Sequence, residues 1–211
     1  MHTFIDFFLH VDKHLVELVA QYGVLIYVLL FLIIFAETGF VVTPFLPGDS
    51  LLFAAGALAA IGQMNVWLLY VLLLVAALLG NTVNYAVGYF FGNKILDKGL
   101  IKKDYLDKTQ KYFDKYGNMT LVVSRFIPIV RTITPFVAGV GKMNYRNFGI
   151  YNIIGGFAWV TLFIWLGYFV GNFSFVKNNF SLITLSIIFI SALPVGISIL
   201  KGYLEHRNTP K

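Results

Sequence analysis

The sequence has no cysteine, few charged residues and no low-complexity linker. The missing thiols exclude disulfides, thiolate metal sites and a cysteine nucleophile, and they leave the redox compartment undetermined. Charged residues make up 12% of the 211 residues, whereas 58% are hydrophobic. Such a chain is too apolar for one soluble core, and a bilayer is the solvent that fits it. We therefore predict one polytopic membrane domain over residues 1–211, in the all-α class.

Basic residues flank the apolar runs instead of forming one patch. This pattern argues against nucleic acid as a partner, in spite of the formal net charge of +6. Lys and Arg concentrate in the cytoplasmic loops of membrane proteins, so these blocks indicate the inner face. The blocks are Lys94, Lys98, Lys102, Lys103, Lys108, Lys111 and Lys115, then Lys142 and Arg146, then Lys201, Arg207 and Lys211.

Hydrophobic periodicity divides the chain into interfacial and spanning segments. Residues 3–22 and 105–116 each carry an apolar stripe beside charged positions, which is typical of an amphipathic helix lying at the membrane surface. Long apolar runs at 66–91, 148–170 and 180–200 are predicted to be full transmembrane helices.

Two further apolar segments, 24–61 and 118–141, are interrupted. The residues expected to break these helices are Pro44, Pro47, Gly48, Pro128 and Pro135. The second arm of the first segment would reach only ~18 Å as a helix, well short of a ~30 Å hydrocarbon core. We predict two re-entrant helical hairpins. The alternative is a pair of tilted spans joined by a tight turn.

The chain contains an internal repeat. Gly62-Gln63-Met64-Asn65 recurs as Gly141-Lys142-Met143-Asn144, and the segment 88–93 recurs, with one substitution, as 167–172 at the same offset. Repeat one covers about 3–92 and repeat two about 94–171, before the extra helix at 180–200. If 118–141 is re-entrant, every basic block falls on one side, which predicts an inverted-topology repeat with the N-terminus outside and the C-terminus inside. The paired glycines of the repeat are predicted to let helices pack closely; they are Gly88, Gly92, Gly167 and Gly171.

The ionisable residues expected at membrane depth are Glu37, Asp49, Arg125 and Arg131. Each costs several kcal/mol there unless it is paired or hydrated, so they mark a functional site. Two arginines can grip a phosphate through forked, charge-assisted hydrogen bonds, and a lipid headgroup phosphate is the obvious ligand. A buried carboxylate could take up and release protons. Alternatively, the carboxylates only pair with the arginines and pin the hairpins together. Asp49 is also predicted to be the N-cap of a helix that starts near Ser50.

Other classes of function find less support. Ser50 and Ser124 have no intramembrane His or Lys partner in the sequence, and no nucleophile elbow or zinc-protease motif occurs, so we expect no enzyme and no cofactor. His10 and His14 lie one helical turn apart but lack a third ligand, so no metal site is predicted. A scaffold role fits poorly with buried charges around broken helices. Three tryptophans are expected to be interface or packing residues, namely Trp67, Trp159 and Trp165.

Four motifs resemble the DedA family of bacterial inner-membrane proteins, also called SNARE-associated Golgi proteins. They are Glu37-Thr38-Gly39, Pro44-Phe45-Leu46-Pro47-Gly48-Asp49-Ser50, the segment from Arg125 to Arg131, and Ala138-Gly139. The likeness covers roughly residues 20–200. It implies paired re-entrant hairpins and lipid translocation linked to the proton motive force, with some members recycling undecaprenyl phosphate and others handling phosphatidylethanolamine. It also implies that Glu37, Asp49, Arg125 and Arg131 are the functional residues.

We therefore expect a transporter of a phosphate-bearing lipid in the bacterial cytoplasmic membrane, with undecaprenyl phosphate as the first candidate. A phosphatidylethanolamine scramblase and a proton-coupled transporter of ions or small cations are the alternatives. The expected partners are membrane lipid and protons. The sequence leaves the oligomeric state open, a homo-oligomer included.

Overall fold

The computed structural model describes residues 23–40, 48–97, 103–127 and 130–173. Within these ranges the chain is helical and contains no β-strand, as predicted for an all-α protein. The predicted surface helix at 3–22 and the predicted last span at 180–200 lie outside the described residues.

The described residues form α-helices of very different lengths, which we number in chain order. They are α1 (Val24–Gly39), α2 (Gly48–Ala60), α3 (Val66–Asp97), α4 (Lys103–Tyr116), α5 (Thr120–Val123), α6 (Val130–Val140) and α7 (Tyr145–Gly171). Two short 3-10 turns, Gly117–Met119 and Ser124–Phe126, flank α5.

The helices α3 and α7 are long and apolar enough to cross a membrane. Their apolar stretches, Val66–Gly92 and Tyr145–Gly171, each contain 27 residues. At ~1.5 Å per residue each stretch is about 40 Å long, more than the ~30 Å hydrocarbon core. Only 33% of the most apolar window is buried in either helix, so most of that apolar surface faces outward, as lipid contact requires. The predicted spans at 66–91 and 148–170 are thus confirmed as long apolar helices.

The arms of the two interrupted segments are short. The helices α1, α2 and α6 contain 16, 13 and 11 residues. At ~1.5 Å per residue they are about 24, 20 and 17 Å long, so none reaches across a ~30 Å core. These lengths favour the re-entrant interpretation over tilted full spans. The number of crossing segments stays a prediction, because the joining residues 41–47 and 128–129 lie outside the described ranges.

The lysine-rich helix α4 is amphipathic, as predicted for a helix at the membrane surface. It contacts α6, and the hydroxyl of Thr120 ties its end to α5 by donating to the carbonyl oxygen of Tyr112 at 2.8 Å. Gly117 sits between the two helices with a φ of 56°, a left-handed conformation that glycine adopts at no steric cost.

Two compact units can be distinguished by their internal contacts. The larger unit contains residues 24–48 and 66–162. The described residues of the smaller unit are Gly23, 49–65 and 163–173.

In the larger unit, α6 packs against α3 at glycine positions. A Cβ atom built on Gly88 would overlap the carbonyl oxygen of Phe136, and one built on Gly139 would overlap that of Tyr85. Neither position can hold a larger side chain unless the two backbones move apart. The predicted role of Gly88 in close helix packing is confirmed.

The smaller unit contains the same kind of contact between α2 and the end of α7. A Cβ atom on Gly167 would overlap the carbonyl oxygen of Phe53, and one on Gly56 would overlap that of Ile164. Gly167 is the residue that matches Gly88 in the internal repeat. Equivalent glycines of the sequence repeat therefore make matching contacts within each unit.

Two sequence-based predictions about helix boundaries are wrong. Pro135 does not break a helix, because it lies inside α6 and removes a single intrahelical donor, the amide that would bond the carbonyl of Arg131. The chain leaves helical geometry earlier, at Ile127, which is extended as expected for a residue that precedes a proline. Asp49 is not an N-cap either. The helix α2 begins at Gly48, so Asp49 lies in the first turn, where its charge still interacts favourably with the helix dipole.

The packing predicts opposite effects for two Gly→Ala substitutions. Gly88→Ala should lower the free energy of unfolding by about 1–3 kcal/mol, because the new methyl group forces α3 and α6 apart. Gly149→Ala should be neutral or stabilising by up to ~1 kcal/mol, because alanine is the better helix former and no atom lies within 4 Å of a Cβ at this position. Thermal unfolding of both variants in detergent tests this; equal midpoints would contradict the packing.

Candidate functional site

Glu37 and Arg131 form a buried ion pair in the larger unit. Nη2 of Arg131 donates a hydrogen bond to Oε1 of Glu37. Glu37 lies in the last turn of α1 and is 0% exposed, and Arg131 lies in the first turn of α6. Each charge is at the end of its helix that disfavours it, since the helix dipole favours cations at the C-terminus and anions at the N-terminus. The pair therefore links the two helix ends, and mutual pairing offsets part of the cost.

The backbone of Gly48 makes room for the Glu37 carboxylate. Gly48 is buried, and a Cβ atom built on it would overlap Oε2 of Glu37. Gly48 was predicted only as a helix break. It begins α2 as that prediction implies, but its lack of a side chain also lets the carboxylate approach the main chain.

Arg125 is held differently from Arg131. It lies in the 3-10 turn Ser124–Phe126, and only 4% of it is exposed. Its Nη2 donates to Oδ1 of Asn152 at 2.6 Å, and its buried Nε has no hydrogen-bond partner within the described ranges. Among the residues that the structure describes, no carboxylate pairs with Arg125. A buried guanidinium that no carboxylate contacts directly is costly to keep away from water.

Trp159 lies beside both guanidinium groups. The Cζ atoms of Arg125 and Arg131 are 5.9 Å and 5.4 Å from the centre of its ring. A cation within ~6 Å of an indole face is stabilised by about 0.5–2 kcal/mol, so the ring offsets part of the burial cost. Trp159 was predicted to be an interface or packing residue. Its position in the middle of a long span, away from the membrane surface, was the signal that it belongs to the site.

Three buried asparagines that the sequence analysis did not select complete the surroundings of the charges, namely Asn81, Asn84 and Asn152. Nδ2 of Asn84 donates to the backbone oxygens of Thr38 (3.1 Å) and Thr132 (2.7 Å), the neighbours in sequence of the paired charges. Polar amides inside long apolar runs are expensive in lipid, and that rarity could have identified them.

A small cavity lies between these side chains, lined by Thr38, Asn81, Arg125, Arg131, Thr132 and Trp159. Its volume of about 10 Å³ suffices for about one water molecule. A phosphate group is larger, so its entry between the two arginines requires the lining to move apart.

The predicted site residues are thus brought together in part. Glu37, Arg125, Arg131 and Gly48 share the larger unit, whereas Asp49 belongs to the smaller one. Pro44, Pro47 and Pro128 lie outside the described residues, as do His10 and His14. Within the described ranges no group of three or more His, Asp or Glu side chains could hold a metal ion.

The long lipid-facing helices and the buried charges define a multi-spanning helical membrane protein. A family model described as the VTT domain matches residues 46–169. The protein DedA of Escherichia coli (strain K12) is 52% identical over 202 residues, which cover 93% of this chain and 92% of that protein. This chain belongs to the DedA family of VTT-domain membrane proteins.

More distant relatives are also named as membrane proteins. An uncharacterized membrane protein of Mycobacterium leprae (strain TN) is 38% identical over 182 residues, covering 85% of this chain and 82% of the relative. The inner membrane protein YghB of Escherichia coli (strain K12) is 34% identical over 177 residues, covering 82% and 78%. No solved structure matches the chain. Together with the apolar helices, these names support a location in the membrane.

The contact between Gly48 and Glu37 predicts a strong energetic coupling. Gly48→Ala should force the carboxylate away from Arg131 and lower the free energy of unfolding by about 3 kcal/mol, the typical cost of breaking a buried pair. In a Glu37→Ala background the same substitution should cost almost nothing, because the overlapping atoms are gone. Thermal unfolding of the two single variants and the double variant measures the coupling. An equal cost in both backgrounds would refute it.

Proposed function

We propose that this protein moves a phosphate-bearing lipid, with undecaprenyl phosphate as the first candidate, across the cytoplasmic membrane. The observation that carries this proposal is the buried guanidinium of Arg125, which lies beside Arg131 and is held by a neutral amide. Arginine suits this task because its planar fork can bind two oxygens of one phosphate. We also propose that the N-terminus is outside and the C-terminus inside, and that the protein is a transporter and not an enzyme.

The ion pair supplies a gate for this cycle. A phosphate that enters the cavity competes with Glu37 for Arg131, because both are oxygen anions that accept from the same guanidinium. Protonation of Glu37 would weaken its hold on Arg131 and favour the phosphate. Proton uptake by Glu37 would thereby link lipid movement to the proton motive force.

The local charge favours a polyprenyl phosphate over phosphatidylethanolamine. Within the larger unit the site has two arginines and one carboxylate, and that carboxylate is already engaged by Arg131. The ammonium of ethanolamine would need a further anion, whereas a phosphate alone does not. Phosphatidylethanolamine movement therefore stays the second candidate.

A proton-coupled transporter of ions or small cations is the alternative from another class. It is favoured by the full burial of Glu37, since a carboxylate removed from water binds a proton or a cation readily. Such a transporter would need Glu37 but would tolerate the loss of Arg125.

The phosphate-binding proposal predicts a large loss of lipid movement in Arg125→Ala and in Arg131→Ala. Each variant removes charge-assisted hydrogen bonds worth about 1.5–3 kcal/mol, so rates should fall by about tenfold or more. The assay follows transbilayer movement of undecaprenyl phosphate and of labelled phosphatidylethanolamine in proteoliposomes. Arg146→Ala is the matched control, because Arg146 is an exposed arginine at the start of α7. Full activity in either site variant would exclude a phosphate clamp.

Glu37→Gln tests the proton linkage. Wild-type movement should become faster as the pH falls on the side from which Glu37 takes up protons, because the protonated acid releases Arg131. The glutamine side chain cannot titrate, so the rate of this variant should be independent of pH while its amide oxygen still accepts from Arg131. Rates are compared across a pH series in the same proteoliposomes, with and without a proton gradient. A pH profile equal to that of the wild type would make Glu37 a structural partner only.

A further inference from the structure

We infer that Asn152 is a positioning residue that makes the site select an anionic headgroup, because it holds Arg125 without neutralising its charge. This inference rests on the proposed function and specifies how the same site recognises its substrate. It is carried by the hydrogen bonds and the burial of Asn152, Asn81 and Arg125.

Hydrogen bonds fix the orientation of the Asn152 amide. Its Oδ1 accepts from Nη2 of Arg125 at 2.6 Å and from Nδ2 of Asn81 at 3.1 Å. Its Nδ2 donates to the backbone oxygen of Leu78 at 3.2 Å. If the amide were flipped, its NH2 group would face the donors of Arg125 and Asn81, and its oxygen would face the carbonyl oxygen of Leu78. The side chain is 3% exposed, so water cannot supply substitutes for these bonds.

The α7 backbone encloses Arg125 at the same place. A Cβ atom built on Gly155 would lie 3.3 Å from Nε of Arg125, and one built on Gly156 would lie 3.4 Å from Nη2. The guanidinium thus lies directly against the two glycines, one turn along α7 from Asn152. Asn152 and the glycines together hold Arg125 in one position on the cavity wall, which it shares with Arg131.

The neutrality of Asn152 matters because Glu37 already offsets the charge of Arg131. With an amide at 152, the guanidinium of Arg125 keeps its full positive charge while its geometry is fixed. Its buried Nε–H has no acceptor among the described residues. An aspartate at 152 could accept the same hydrogen bonds through one oxygen, but it would become the counter-ion of Arg125 and take the place of the substrate.

Two substitutions separate the charge of residue 152 from its hydrogen bonds. Asn152→Asp keeps an acceptor for Arg125 and adds a negative charge. It also loses the donor to the Leu78 carbonyl, a bond that Asn152→Ala loses as well. Asn152→Ala removes every side-chain hydrogen bond and leaves Arg125 positive. If Asn152 has only a structural role, Asn152→Ala should reduce the preference for an anionic ligand more than Asn152→Asp does. If Asn152 makes the site select an anion, only Asn152→Asp should remove that preference.

The experiment measures the binding of farnesyl phosphate and of farnesol to the full chain in detergent. The two probes differ only in the phosphate, so the ratio of their Kd values reports headgroup recognition. The wild type should prefer farnesyl phosphate. Asn152→Asp should reduce that preference by about tenfold or more, the worth of a charge-assisted hydrogen bond. Asn152→Ala should weaken farnesyl phosphate binding and still prefer it over farnesol.

Asn144→Asp is the matched control. Asn144 is exposed just before α7, and its Oδ1 accepts from the backbone amide of Arg146 at 2.9 Å, a bond that aspartate can also accept. This variant should keep the wild-type preference. If Asn144→Asp also loses the preference for farnesyl phosphate, any added negative charge weakens phosphate binding. That result would overturn the selective role of Asn152.

The outcomes separate this inference from the proposed function. If the wild type binds both probes equally, phosphate recognition itself fails, and the inference fails with it. If the wild type prefers farnesyl phosphate and Asn152→Asp keeps that preference, only the role of Asn152 is refuted. If Asn152→Asp does not yield folded protein, the alanine variant decides. If Asn152→Ala still prefers farnesyl phosphate over farnesol, the inference is supported. If Asn152→Ala loses that preference, the inference is overturned.

Discussion

The cost of placing charge where water is scarce governs this structure. Glu37 is fully buried at the C-terminal end of α1, and Arg131 lies at the N-terminal end of α6. Each position is the wrong end of its helix for that charge, so neither residue is there to stabilise its own helix. Replacing a buried ion pair by apolar side chains is often neutral or stabilising, so the pair is poorly explained by stability alone. The proposed competition between Glu37 and a phosphate for Arg131 explains its presence better.

Close backbone packing is what brings the charged helix ends together. Gly88 and Gly139 let α3 and α6 approach until no Cβ atom fits between them. At that distance the short amide of Asn84, on α3, reaches the main chain on both sides of the ion pair, at Thr38 and Thr132. The Asn84 amide bonds to backbone and not to side chains. It can therefore hold the two helix ends in register during the exchange of partners that we propose for Glu37 and Arg131. The hydrogen bonds of Asn84 therefore hold the helix ends, whereas the Glu37–Arg131 pair is the contact that we propose to exchange.

The sequence alone was sufficient to predict the structural elements that depend on the local pattern of apolar and charged residues. The long spans, the amphipathic α4 and the buried charges follow from apolar runs, stripes and the cost of ions in lipid. Two predictions about helix boundaries failed. Asp49 is not a cap because α2 starts earlier than its first apolar residue suggests, and Pro135 does not end a helix because it lies in the middle of α6. The partners of each charge were not predictable, because Glu37 and Arg131, like Arg125 and Asn152, meet only after distant segments pack.

The two arginines have different surroundings, and in the proposed function this difference gives them different tasks. Arg131 is bound to an acid that can be neutralised by a proton, so its availability can change during a cycle. Arg125 is fixed by a neutral amide and two glycines, so both its position and its charge are constant. The cavity between them admits about one water molecule, hence a phosphate can touch both only after the lining has opened. An anion would first meet the constant charge of Arg125, and its binding energy there could then be used to displace Glu37 from Arg131.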